Sequence, residues 1–180
     1  IGESWRDRRD QVEEQATKLT EALKQLATPA NRADESASFD LSQLIDQSVH
    51  DFDVRNGGFG HAPKFPRQTL LTIILNCLAS DRSEVSSKKS SLESMLARTL
   101  DAMANGGIRD HLGGAFHRYS TDAKWLVPHF EIMLYDQALL APIYARAAKL
   151  LKNDRYERVA RGVCDFVLRE MTSDDGTFFS

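Results

Sequence analysis

The residues best suited to proton transfer lie close together in this chain. Four of the five histidines, seven of the ten glycines and three of the five prolines fall between Asn56 and His129. Histidine changes charge near neutral pH, and a pair of carboxylates can act as acid and base on a glycosidic oxygen. The candidates for acid/base catalysis are His129, Glu131, Asp122, His117 and Asp110.

Aromatic and polar side chains of the same region could bind a sugar. Aromatic rings offer flat apolar faces, and charged groups can hold hydroxyls or anions. Each residue also has a structural alternative, in which the rings close the loops, the carboxylates pair with Arg109, Arg118 and Lys124, and the lysine sits in a rigid turn. The candidate substrate-binding residues are Trp125, Tyr119, Arg118, Phe59, Lys64 and Asp136.

Epimerisation beside a carbonyl would need two general bases, for which His111, His117 and His129 are the candidates. His129 is favoured because Pro128 is predicted to open a helix, whose N-terminus favours a neutral imidazole. On that helix, residues two apart diverge by about 200°, which separates His129 from Glu131 and argues against a metal site. No metal or cofactor is predicted.

Apolar residues recur at steps of three and four, which predicts a series of helices. A capping box is predicted from Ser90 to Glu93, and Pro142 is expected to kink or break its helix. No segment alternates with period two for long, so the fold class is all-α. The predicted helices cover residues 5–26, 40–52, 67–79, 90–103, 128–151 and 154–171.

Similar glycine and aromatic segments follow three of the predicted helices. They occupy residues 57–59, 113–116 and 175–178. Such a recurrence is typical of repeated helical hairpins. The loop over residues 104–127 is longer than ordinary helix connections, and its aromatic side chains indicate that it is ordered and lines a site.

The composition is that of an ordinary globular protein. Of 180 residues, 42% are hydrophobic and 27% are charged, with a net charge of -3 and no basic block. This excludes whole-chain disorder and argues against a nucleic-acid partner. The apolar run over residues 70–79 is too short to cross a membrane, so no membrane partner is expected.

The cysteines and the chain ends bear on location. Cys77 and Cys164 lack disulfide or metal-ligand spacing, which favours a reducing compartment and predicts a cytoplasmic protein.

The chain opens on Ile1 and closes on Ser180 just after a turn. We interpret it as a piece of a longer protein.

Two long motifs resemble a known family. They read GGFGHAPKFP over residues 57–66 and GGIRDHLGGAFHRYSTDAKWLVPHFEIMLYDQALLA over residues 106–141. Both resemble the thioredoxin-domain-containing or spermatogenesis-associated protein 20-like family. The chain departs from the family pattern at Ile132, where a lysine is usual, and at Ala115, where a glycine is usual. Loss of that lysine would change the surroundings of Glu131.

The resemblance implies a thioredoxin-like domain followed by an (α/α)6 toroid of helical hairpins, similar to six-hairpin glycosidases and N-acylglucosamine 2-epimerases. Residues 1–38 would then connect from the upstream thioredoxin-like domain, and residues 39–180 would form the first hairpins. Toroids of this kind bind sugars in a funnel lined by loops. We therefore hypothesise an enzyme acting on a sugar or glycoside. The alternative is a non-catalytic module that binds the thioredoxin-like domain or another protein.

Overall fold

The computed structural model of the chain describes residues 2–27, 40–80 and 83–180. These residues form helices joined by loops, with isolated β-bridges and no strand among them. None of the described helices is long and apolar enough to cross a membrane. The helices are α1 (Gly2–Asp7), α2 (Arg9–Ala27), α3 (Leu41–Asp51), α4 (Gln68–Ala79), α5 (Ser83–Ser86), α6 (Lys89–Asn105), α7 (Leu134–Leu151) and α8 (Asp154–Glu170).

The chain divides into two compact units after Asp40. In the first unit, the predicted single helix over residues 5–26 is two helices, because Arg8 separates α1 from α2. Helix α2 ends at Ala27, one residue beyond the predicted end, and the predicted connection that follows lies outside the described residues. The second unit, Leu41–Ser180, contains α3 to α8 and all of the candidate site residues.

Helices α3, α4 and α8 begin and end within one residue of their predicted bounds. Helix α4 is largely apolar and, as predicted, buried over most of its surface, with Leu71, Ile74 and Leu75 inside. The apolar residues of α8 that recur at steps of three and four are buried from Tyr156 to Val163, whereas Cys164 and Leu168 are exposed. Helical spacing therefore located these elements well.

The apolar face of α6 is buried and its start lies within one residue of the predicted one, but the predicted capping box is absent. Lys88 is the N-cap and its side chain makes no capping bond. The short helix α5 leads directly into α6 through a bond from Lys88 N–H to Val85 O at 2.9 Å, so Ser90 falls inside the first turn. The buried residues of the face are Leu92, Met95, Leu96, Thr99, Leu100 and Met103.

Helix α7 begins at Leu134, so the predicted start at Pro128 is wrong. Pro128 forms an antiparallel bridge with Ser120, and His129 N–H donates to Tyr119 O at 2.9 Å. Backbone pairing across the loop keeps Pro128 and His129 out of the helix, which begins six residues later than predicted, at Leu134. His129 therefore lies on an extended strand-like segment rather than at a helix N-terminus.

Helix α7 runs without a break through Pro142. A proline removes the hydrogen bond to the carbonyl four residues earlier, here that of Ala138. Both residues are exposed, so water can bind the freed carbonyl. The predicted break at this proline is absent.

The core of the second unit lies between its helices. Helix α4 packs on both α6 and α7, and α7 packs on α8. Tyr144 of α7 stacks on Phe116, with ring centroids 5.4 Å apart, and donates to Leu100 O at 2.8 Å. This contact links the long loop before α7, which contains Phe116, to the helical core.

Similar turns follow α3, α6 and α8. In each turn a glycine with positive φ, a conformation that glycine adopts at little cost, leads into a phenylalanine that forms an antiparallel bridge. The repeated turns separate the hairpins, since α4 and α6 pack together between the first two turns and α7 and α8 between the last two, as the spacing predicted. The bridged pairs are Phe52 with Phe59, Arg109 with Phe116 and Thr172 with Phe178, and the glycines are Gly58, Gly114 and Gly176.

Candidate active site at the joined loops

Two loops meet where α4 and α7 begin. The first loop, residues 52–67, precedes α4, and the second loop, residues 106–133, precedes α7. Lys64 N–H donates to Ser120 O at 2.8 Å, and Ser120 N–H donates to Lys64 O at 2.9 Å. The N-terminal ends of α4 and α7 therefore lie at the same end of the unit. We call the joined loops the rim.

Lys64 is a structural link between the two loops. Its side chain is fully buried, and Nζ donates to Asp53 Oδ2 at 2.6 Å, Ala123 O at 2.8 Å and Gly57 O at 2.9 Å. An ammonium has three donors, so none is left for a bound anion or sugar. Burial raises the pKa of Asp53, but hydrogen bonds from Lys64 and Asn56 outweigh burial and hold that pKa well below its usual range.

Trp125 and Phe59 fill the interior of the rim. Both are buried, and Trp125 Nε1 donates to Asn56 O at 3.1 Å. The indole lies so close to Gly58 that a Cβ there would stand 2.4 Å from its Cζ2. Neither ring therefore has a face open to a ligand.

Asp122 and Asp110 each hold a turn by accepting backbone hydrogen bonds. Val127 N–H donates to Asp122 Oδ2 at 2.6 Å, and the N–H groups of Leu112 and Gly113 donate to Asp110 Oδ1 at 2.9 Å. The Gly113 bond lowers the pKa of Asp110. Burial raises the pKa of Asp122, but its backbone bonds outweigh burial and lower it. Both carboxylates are held ionised, which makes them poor proton donors.

His129 and Glu131 lie on the same side of the extended segment before α7. His129 Nδ1 is 3.4 Å from Glu131 Oε2, although the imidazole N–H is not aligned for a hydrogen bond. The predicted helix, which would have separated them, does not form here, because Pro128 and His129 pair with the opposite arm of the loop. The expected separation of these two residues is therefore wrong. Nδ1 is buried while the side chain is 26% exposed, so the edge bearing Nε2 is the polar edge that solvent reaches.

Arg118 completes a cluster with this pair. Its Nη1 lies 3.4 Å from Glu131 Oε2, and its guanidinium lies 5.9 Å from the ring of Tyr135. Arg118 N–H also donates to Glu131 O at 3.0 Å, so backbone pairing fixes the approach of the two side chains. A base, a carboxylate and a cation thus share one partly exposed surface of the rim.

Four aromatic rings form a continuous stack beside the cluster. Tyr119 stacks on Phe65 at 4.8 Å and on His129 at 4.5 Å, measured between ring centroids. His129 in turn contacts the ring of Phe130 at 4.6 Å. The row of rings joins the first loop to the second and places Tyr119 parallel to the imidazole and Phe130 tilted against it by 35°.

Asp136, in the first turn of α7, meets Gln68 at the start of α4. Gln68 Nε2 donates to Asp136 Oδ1 at 2.7 Å, whereas Asp136 Oδ2 is buried without a partner. Burial raises the pKa of Asp136 to about 6, against the opposing effects of Gln68 and Arg118. The side chain is 2% exposed, so it supports the rim from within rather than from its surface.

The other two histidines of the second loop bond to backbone carbonyls. His117 Nδ1 lies 3.3 Å from Phe130 O, and His111 Nε2 lies 3.0 Å from Gly106 O. His117 is half-buried near the cluster, whereas His111 is exposed. Of the two, His117 is the one that the fold brings to the segment bearing His129.

Several residues at or beside the rim were not predicted from the sequence to belong to the site. Gln68 binds Asp136, and Gln137 binds the backbone of Phe116 through both ends of its amide, at 2.7 and 2.8 Å. Phe130 is the exposed end of the ring stack. Phe130 belongs to the quoted motif, but only the fold shows which rings are covered. No local pattern marks a glutamine that bonds across loops.

The groove along α7 and α8 does not coincide with this chemistry. Its volume is about 880 Å³, and it is lined by residues such as Pro142, Lys149, Glu157 and Arg161, with none from the rim. Among the described residues, no three His, Cys, Asp or Glu side chains are placed to hold a metal ion. We therefore locate the candidate site by the groups at the rim.

The fold belongs to the helical-hairpin toroid class. It is similar to the crystal structure of a sugar epimerase from a ruminal bacterium, with a TM-score of 0.60 and 12% identity, over 74% of this chain and 36% of that chain. A likeness at such low identity shows the fold alone. The all-α class and toroid architecture predicted for the chain are confirmed.

Curated relatives point to one family within that class. Spermatogenesis-associated protein 20 of Homo sapiens is 38% identical over 183 residues, and that of Rattus norvegicus is 36% identical, each covering 100% of this chain. An uncharacterized protein of Caenorhabditis elegans is 39% identical over 81% of the chain. No family model matches. The chain spans 23% of the length of the human and rat relatives. The family predicted from the two loop motifs is confirmed.

Proposed function

We propose that this chain forms part of a sugar-processing enzyme of the epimerase type, with proton transfer at the rim. The observation that carries the proposal is the cluster of His129, Glu131 and Arg118 on a partly exposed surface beside the start of α7. The toroid fold, shared with a sugar epimerase, supports the choice of a sugar over other substrates. An upstream thioredoxin-like domain stays a prediction.

Each member of the cluster has a role in this proposal. His129 Nε2 removes the proton from the carbon next to a sugar carbonyl, and Arg118 stabilises the negative charge that moves to the carbonyl oxygen. Glu131 orients the imidazole from the Nδ1 side; contacts of this kind are often long without substrate and shorten in the complex. A second acid/base group returns a proton to the opposite face and inverts the carbon; His117 is the candidate, because its Nδ1 lies 3.3 Å from the O of Phe130, the residue after His129.

Deuterium exchange tests the reaction directly. The intact protein is incubated in D₂O with a panel of reducing monosaccharides, and the C–H signal next to the carbonyl is followed by proton NMR. We expect its loss with one sugar, together with signals of the epimer. Release of aryl groups from aryl glycosides, with no exchange in any monosaccharide, would instead show hydrolysis and contradict the epimerase assignment.

Matched variants assign the catalytic groups. His129→Gln should reduce exchange by about 10²-fold or more, the usual contribution of a general base. Glu131→Gln should reduce it by a smaller factor. His111→Gln is the control, because His111 is exposed and bonds only to Gly106 O. Full exchange in the His129 variant would overturn the assignment.

A non-catalytic interaction module is the second candidate. It is favoured by three exposed apolar side chains of the second loop, Leu112, Leu126 and Val127. Exposed apolar groups of this kind are found at protein interfaces. If no sugar exchanges or is hydrolysed, and Leu126→Asp weakens binding of the predicted thioredoxin-like domain in calorimetry, this function replaces the first.

A further inference from the structure

An aromatic ring can hold a sugar only on a face that nothing else covers. In the stack at the rim, Tyr119 is covered on one face by Phe65 and on the other by His129. His129 is covered by Tyr119 and Phe130. Phe65 and Phe130, at the two ends of the row, each contact one other ring and are exposed, whereas Tyr119 and His129 are partly buried.

Phe130 is the end that adjoins the acid/base cluster. It lies between His129 and Glu131 in the chain, and 80% of its surface is exposed, against 43% for Phe65. Its ring contacts the imidazole, with the centroids 4.6 Å apart and the planes tilted by 35°, and this contact holds the ring in place. A supported ring loses little conformational entropy when a ligand packs on its other face.

The chemistry around Phe130 suits a pyranose. The C–H bonds on one side of a pyranose ring pack on the negatively polarised face of an aromatic ring. Its hydroxyls need donors and acceptors beside that ring, and Arg118 and Glu131 supply both within 3.4 Å of each other. Trp125 and Tyr119, which were predicted as platforms, have no free face.

We propose that Phe130 is the platform on which the ring of the sugar substrate packs, next to the imidazole of His129. The proposal rests on the proposed function and names the face of the substrate that is recognised. Tyr119 then has a different role, since it positions His129 from the opposite face and does not touch the sugar.

The test uses the intact protein and the sugar identified by deuterium exchange. Phe130→Ala should weaken sugar binding in calorimetry by about tenfold, the effect of roughly 1.4 kcal/mol of ring packing. Phe130→Leu keeps an apolar side chain without a ring and should weaken binding similarly, whereas Phe130→Trp should restore it. Val54→Ala is the matched control, because Val54 is also an exposed apolar residue of the joined loops and lies outside the stack.

The outcomes separate the two proposals. If the unaltered protein binds and exchanges no sugar, the proposed function fails and the platform fails with it. If the unaltered protein binds sugar and Phe130→Ala binds it equally well, the platform alone is refuted. A blue-shifted indole emission added by Phe130→Trp without sugar would also refute it, because the protein itself would then cover that position.

Discussion

Removal of the Lys64 ammonium should unfold the rim at far lower denaturant concentration. In Lys64→Met the buried side chain keeps a four-atom apolar stem and loses the ammonium with its three hydrogen bonds, to Asp53, Gly57 and Ala123. Removing one partner of a buried ion pair lowers the free energy of unfolding by about 3–5 kcal/mol, and we take this range to include the hydrogen bonds lost by the two carbonyls. The Asp53 side chain is 18% exposed, so water relieves part of its charge and the lower end of that range, about 3 kcal/mol, is expected.

Urea unfolding followed by circular dichroism measures this loss. Lys88→Met is the control, because its ion pair with Asp46 lies at the surface, with side chains 30% and 61% exposed, and should be worth less than about 1 kcal/mol. The folded-state pKa of Asp53 is depressed, so its ion pair contributes above about pH 4 and is lost as the pH falls below that value. The Lys64 variant should therefore lose less stability on acidification than the unaltered chain. Equal, small losses for both lysine variants would refute the reasoning.

Two further perturbations test the rim. Gly58→Ala places an alanine at a φ of 79° with its Cβ 2.4 Å from Trp125, whereas Gly176→Ala places one at a φ of 82° in open space. In urea unfolding, Gly176→Ala should lower the free energy of unfolding by about 1 kcal/mol, and Gly58→Ala by at least twice as much. Equal costs would show that the indole moves freely. Asp136→Asn removes a carboxyl whose pKa is raised to about 6, above its value of 3.8 in the unfolded chain. Ionisation of Asp136 destabilises the fold as the pH rises through 6, so the stability of the variant relative to the unaltered chain should increase from pH 4 to pH 7. A difference that is the same at both pH values would contradict the burial of this group.

Helices could be predicted from the sequence because their signal is local. The face of α6 from Leu92 to Met103 follows from a spacing of three and four residues, and it is buried in the fold. The start of α7 failed for a non-local reason. Proline at a first helical turn is favoured, but Pro128 is held extended by Ser120, eight residues earlier in the chain. Cross-loop pairing outweighed the local preference.

The site residues divide in the same way. Their types and their concentration in two loops were visible in the sequence, and they pointed to acid/base chemistry. The sequence could not show which of these residues are exposed, because Lys64 and Trp125 are buried against partners that lie 59 and 69 residues away in the chain. His129 and Glu131 approach to 3.4 Å because their segment pairs across the loop instead of forming a helix, which local helical spacing could not predict.

The sequence alone determined the class of helical hairpins, the family and the region that carries the ionisable groups. Each of these follows from periodicity, turn glycines or the order of motifs, which are all properties of the sequence itself. Only the tertiary structure decided that Phe130 has a free face, that Tyr119 has none, and that Asp136 meets Gln68. Exposure and pairing depend on which loops meet across the fold. That contact is set by the packing of α4 on α7, a property of the folded chain as a whole.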